Sequence, residues 1–172
     1  MDAFFWGVLS YRKMENGFRE YLITFILSFL PISELRGAIP YGLSRHLPLF
    51  GVLFVAVIGN FIPVIPVYLS IQKVAQYLSG RYLWAKRFFD WLFSRTRRKA
   101  KGIEYSEFFG LAIFVGIPLP VTGAWTGAVA ASLLGIPARR AILSILLGIL
   151  IAAAIVAMVC LGCITAFSLF VK

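Results

Sequence analysis

"PISELRGAIPYG", residues 31–42, decides how this chain is read. It sets Glu34 and Arg36 two residues apart, between Pro31 and Pro40, in an otherwise apolar region. The preceding run, Tyr21–Ile32, is apolar but only 12 residues long, whereas a helix needs about 20 to cross a bilayer. A helix continuing through 31–42 would carry two prolines, each without an amide donor. It would also hold charges in hydrocarbon, at about 2.5–3.5 kcal/mol each on insertion scales. The favoured reading is a chain that breaks and turns back, a re-entrant hairpin with its tip at 31–40. The competing one is four plain spans at about 21–43, 49–70, 108–135 and 141–168.

Composition sets the solvent. The 172 residues are 60% hydrophobic and 14% charged, against about 45–50% and 25% in a soluble domain, and mean hydropathy is +0.89. One all-α integral membrane domain is expected. The net charge of +10 fits membrane orientation better than nucleic acid, since most basic residues flank apolar runs and no RRM-type aromatic signature is present. Residues 1–20 lack the charge order and cleavage site of a signal peptide and read as a retained amphipathic, interfacial segment, or else as one that crosses.

A second interrupted segment answers the first. Phe108–Leu119 is again 12 apolar residues, followed by "PLPVTGAWTGA", residues 118–128. Shifting the sequence by 89 residues lays Pro31 on Pro120, Ser33 on Thr122, Pro48 on Pro137, Gly59 on Gly148 and Phe25 on Phe114. Ala38 and Gly42 fall on Gly127 and Ala131. Repeat 1 is then 18–71, with its span at 47–71. Repeat 2 is 108–172, with its tip at 118–127 and its span at 141–171. Paired short interrupted segments point to a transporter binding site. If each half contributes one hairpin and one crossing, the repeats are inverted and their tips meet near mid-membrane.

Between the halves lies 72–107, with nine basic residues against three acidic ones and interleaved aromatics. It reads as an amphipathic helix on the membrane surface or a solvated loop. Arg97, Arg98 and Lys99 are suited to anionic headgroups, and Arg139 and Arg140 lie at a second membrane surface turn. That side of the membrane carries eleven basic residues, the other five (Arg12, Lys13, Arg19, Arg45 and Lys172). The positive-inside rule puts the linker in the cytoplasm and both termini outside.

The candidate site follows from the breaks. Ser33 and Thr122 are expected as N-caps of the helices after each tip, whose N-termini attract anions. Arg36, Ser33, Gly37, Thr122, Gly123, Trp125 and Asn60 are the candidate substrate-binding residues. Glu34 is the candidate proton carrier, with a structural ion pair to Arg36 as the plainer alternative. Trp125 lines the site or anchors the fold, and Asn60 either glues helices or binds ligand. Gly123, Gly127, Ala131 and Gly135, four apart, suggest a smooth packing face. "CLGC", Cys160–Cys163, reads as helix packing, and His46 as interfacial. No Ser/His/Asp set, phosphate loop or metal-ligand cluster is present, so no enzyme, metal or cofactor is expected.

"ELRGAIPYG" (34–42), "GNFIPV" (59–64) and "PLPVTGAWTGA" (118–128) resemble the small multi-drug export protein family, related to the DedA or SNARE-associated (VTT-domain) superfamily. The likeness spans roughly residues 20–160. It implies two facing re-entrant hairpins in an inverted repeat, in the plasma membrane of a prokaryote, and lipid movement such as polyprenyl-phosphate recycling or phospholipid scrambling, with dependence on the proton-motive force. DedA proteins carry arginines in the second hairpin motif. Here 118–128 has no charge, so Arg36 takes that work or the substrate differs.

Three hypotheses result. The first is a transporter or flippase for an anionic amphiphile, with membrane lipids as partners. The second is a proton-coupled exporter of cationic drugs, the third a non-transporting scaffold. A homodimer would shield a polar site better than a monomer, and both remain open. The hairpin reading makes a direct prediction. In a cysteine scan of 30–45 and 118–128, both arms of each hairpin label from the same side of the membrane, whereas four plain spans label from opposite sides.

Overall fold

The structure, a computed structural model, describes residues 17–83, 87, 104–119 and 122–170. The regular elements among them are helices: α1 (17–29), α2 (Glu34–Ser44), α3 (Leu49–Phe61), α4 (Val64–Arg81), α5 (Glu104–Gly116), α6 (Ala124–Leu133) and α7 (Ala138–Phe170). Two helical stretches are long and apolar enough to cross a membrane, Leu49–Arg81 and one within α7, Ala138–Cys163.

Proline and capping chemistry set the boundaries. The chain breaks at residues 30–33, so the tip is shorter than the expected 31–40. Pro40 stays inside α2, on its exposed face. The break between α3 and α4 falls at Ile62 and Pro63. Pro63 and Pro66 thereby occupy the N-cap and first turn of α4, where a missing amide hydrogen costs least. α4 runs on through Gln72 to Arg81, so the first part of the basic linker extends the long helix.

The helices after each tip end alike. Leu47 N bonds Gly42 O at 3.3 Å and Ile136 N bonds Ala131 O at 3.0 Å. His46 N bonds Leu43 O at 3.0 Å and Gly135 N bonds Ser132 O at 3.1 Å. The residue that reverses the chain is left-handed in both, His46 at φ 58° and Gly135 at φ 67°. These are Schellman-type ends followed by a proline, 89 residues apart. Gly135 therefore belongs to a turn and not to the small-residue face, which within α6 is formed by Ala124, Gly127, Ala128 and Ala131.

The chain divides into two compact units, Met1–Asn60 with Val156–Lys172, and Phe61–Ile155. Each takes one pair of short helices, the first part of the long helical stretch after it, and the second part of the other long stretch. In the first unit α1 lies against α3. A methyl group on Gly59 would sit 2.9 Å from Phe25 O and 3.1 Å from Ser28 Cβ, and the buried Ser28 hydroxyl donates to Ala56 O.

In the second unit α5 lies against α7. A methyl group on Gly148 would be 2.7 Å from Ala112 O and 2.6 Å from Val115 Cβ, and Ser144 donates to Phe108 O. α4 packs along α6, where the Tyr68 hydroxyl donates to Ile136 O at 2.6 Å and Ser132 to Tyr68 O at 3.1 Å.

Outside these contacts the surface stays apolar, with Ile32 96%, Phe50 85% and Met158 65% exposed. Cys160 is half-buried and Cys163 exposed, and a methyl group on Gly162 would meet nothing within 4 Å. Among the described residues, the CLGC stretch shows no close packing neighbour at Gly162. Residues 1–16, and the linker beyond 83 except Arg87, lie outside the described residues.

The packing can be tested with two alanines. Gly148→Ala should destabilise by about 1–3 kcal/mol, because the added carbon has no room. Gly110→Ala, where a Cβ meets nothing within 4 Å, should be neutral or stabilising by up to about 1 kcal/mol. Thermal unfolding of the detergent-solubilised protein would separate the two.

Candidate functional site: the first hairpin tip

Backbone hydrogen bonds step across the first tip. Leu30 N bonds Ile26 O at 3.1 Å, Glu34 N bonds Leu30 O at 3.1 Å and Gly37 N bonds Ser33 O at 3.0 Å. Glu34 is the residue of this stretch with a positive φ, 47°. For a residue with a Cβ that conformation costs roughly 1–2 kcal/mol, and such strain collects at functional sites.

On a regular helix, residues two apart face different ways. With the left-handed residue at position 34, Arg36 Nη2 comes within 3.6 Å of Glu34 Oε2. The two side chains are unequally covered, Glu34 8% and Arg36 28% exposed. Glu34 also sits in the first turn of α2, where a negative charge suits the helix dipole. Gly37 is half-buried, with its α-carbon turned toward Ser33.

The expected N-caps are corrected. Neither α2 nor α6 has a side-chain cap, and the cap position of α6 is Gly123. Ser33 donates backward to Leu27 O, and Thr122 donates to Ile117 O at 2.6 Å while accepting from Leu119 N at 3.2 Å. The reason is local. The last carbonyls of a helix have no intrahelical donor, and an unmet carbonyl is costly in apolar surroundings. Each hydroxyl answers that need at the end of the helix before the tip.

Of the remaining sequence candidates, Asn60 lies in the first unit, 2% exposed. Gly123 is buried and Trp125 half-buried, both in the second unit with Thr122. Arg139 and Arg140 are exposed in the first turn of α7. Arg97, Arg98 and Lys99 fall outside the described residues. Among the described residues no group of three or more His, Cys, Asp or Glu could hold a metal ion.

Sequence reasoning passed over a second polar cluster in the first unit. Tyr41 donates its hydroxyl to Glu20 Oε2, Arg45 Nε lies 3.5 Å from the same oxygen, and the Arg45 guanidinium stands 5.4 Å from the Tyr41 ring centroid. It ties the open end of α2 to α1. Its signal was legible in part, since Tyr41 and Arg45 are at i,i+4 on one helix face. Glu20, distant in sequence, gave none.

The fold and apolar surface define an all-helical membrane protein. The family described as "Putative small multi-drug export protein" matches residues 34–155, and the chain belongs to that family. The description points to a transporter rather than an enzyme. No curated protein and no solved structure matches the chain.

Strain and charge at Glu34 can be separated. Glu34→Gly and Glu34→Ala both remove the carboxylate, but only alanine keeps a Cβ in the left-handed conformation. The glycine variant should be the more stable by about 1 kcal/mol, read as the higher melting temperature. Equal melting would remove the strain.

Proposed function

We propose that the protein is a proton-coupled secondary transporter of an anionic amphiphile, a polyprenyl-phosphate-like lipid or a phospholipid, with the first hairpin tip handling both charges. The observation that carries this is the unequal burial of the Glu34–Arg36 pair. Arg36 is the accessible member, so an anionic headgroup meets the guanidinium first. As the headgroup takes over Arg36, the buried Glu34 carboxylate shares its counter-charge with a second anion, which is costly. It therefore takes up a proton. The empty pair is neutral, and the loaded site (arginine, anion and carboxylic acid) is neutral too. Anion and proton enter together without burying net charge.

The helix lengths support a re-entrant arrangement. α2 and α6 have 11 and 10 residues, roughly 15–17 Å each, about half of the hydrocarbon core. In this reading the repeats are inverted and 72–107 faces the cytoplasm of a prokaryote beneath its plasma membrane. The arginines of 97–98 and 139–140, with Lys99, hold anionic headgroups at the surface. A homodimer would shield the tip beside Ile32.

A second reading, in which Glu34 exchanges a proton for a cationic drug, also fits the family description. Translocation in proteoliposomes decides between them. Arg36→Ala should lower transport of a fluorescent lipid phosphate roughly tenfold or more, in keeping with the ~1.5–3 kcal/mol of a hydrogen bond to a charged group. Glu34→Gln should abolish its dependence on a pH gradient. Lipid transport that survives both substitutions ends the proposal. Drug-stimulated proton flux that survives Arg36→Ala establishes the second reading.

A further inference from the structure

We propose that the C-terminal end of α3 binds a small monovalent cation, held by the Asn60 side-chain oxygen and the Gly59 carbonyl. Asn60 is 2% exposed, and its Oδ1 is buried with no hydrogen-bond partner among the described residues. A buried acceptor without a donor is destabilising, so it points to a missing positive or donating group. The next acceptor is a consequence of sequence. Gly59 O would receive its helical hydrogen bond from residue 63, and Pro63 has no N–H.

The surroundings are acceptors as well. Val52, Ala56, Gly59 and Asn60 form the buried face of α3. Against it lies Ser28, 0% exposed, whose one hydrogen goes to Ala56 O, leaving its oxygen lone pairs as acceptors. α3 ends at Phe61, so the negative end of its dipole falls here. Oxygens without hydrogens repel an anion. Asn60, Gly59 and Ser28 are neutral, which suits Na⁺ or K⁺ better than a divalent ion that draws on carboxylates. Interrupted membrane helices offer coupling ions the same kind of terminus, unwound carbonyls beside a side-chain oxygen. The site supplies a second coupled ion to the transporter proposed above, yet its binding does not depend on that reading.

The test is thermal unfolding of the full-length protein in detergent. NaCl or KCl is titrated against N-methylglucamine chloride at constant ionic strength. A saturable rise of about 3 °C with one alkali cation is expected. Asn60→Leu should abolish it, and Asn60→Asp should keep or strengthen it. Pro63→Ala, which returns a donor to the Gly59 carbonyl without touching Asn60, should weaken it and carries the test if Asn60→Leu does not fold. Equal melting in all three salts means that the buried oxygen holds water, and overturns the proposal. So does a cation effect that persists in both Asn60→Leu and Pro63→Ala. A cation-specific shift in protein that moves no lipid would leave this site standing and remove only the transport reading.

Discussion

At Gly59 and at Gly148 one helix backbone lies so close to another that a single methyl group would not fit. Without a hydrophobic drive between helices in lipid, close approach and interhelical hydrogen bonds are what hold them together. Both are present at each place, glycine against a carbonyl and a serine hydroxyl bridging nearby (Ser28 to Ala56 O, Ser144 to Phe108 O). The two glycines are 89 residues apart. The atoms they face, Phe25 O and Ala112 O, are 87 apart. The long helices thus keep the 89-residue offset while the first arms differ by two residues. The connection from α1 to α2 is accordingly shorter than that from α5 to α6.

That slack explains why the tips share a principle but not a sequence. Ser33 and Thr122 each turn a hydroxyl back to the end of the preceding helix. Only the shorter tip adds a left-handed glutamate and an ion pair. A turn could be built without charge, as the second half shows. The proposed transport role gives the glutamate and arginine a purpose that the turn itself does not require. Strain at Glu34, with no left-handed residue among the described residues of the second turn, is the pattern expected of a site that must change state.

Much of this was legible in the sequence. Pro31, Pro120 and the hydroxyl two residues on announced the breaks, because proline and a short polar side chain act locally. The long apolar runs announced themselves by their length, although the first is broken at Ile62 and Pro63. What escaped depended on direction or distance. Ser33 and Thr122 were read as caps for the helix ahead, and they serve the helix behind. Gly135 was read as part of a packing stripe, but it reverses the chain as His46 does. The Gly-Ile-Pro and His-Leu-Pro steps held that information. Glu20 could not be paired with Tyr41 and Arg45 without knowing that α1 folds back along α2. The left-handed turn at Glu34 has no sequence signature at all.

The division of the chain bears on how the protein is made. The unit that holds the first hairpin draws on Met1–Asn60 and on Val156–Lys172. Its early helices must therefore wait in the bilayer, or beside the insertion machinery, while some ninety-five residues of the other unit are synthesised between them. Contacts so far apart along a chain form late. The Glu34–Arg36 pair must accordingly survive an interval of incomplete enclosure. A charge pair that neutralises itself across one turn suits that interval, since it needs no later partner to be tolerated by lipid.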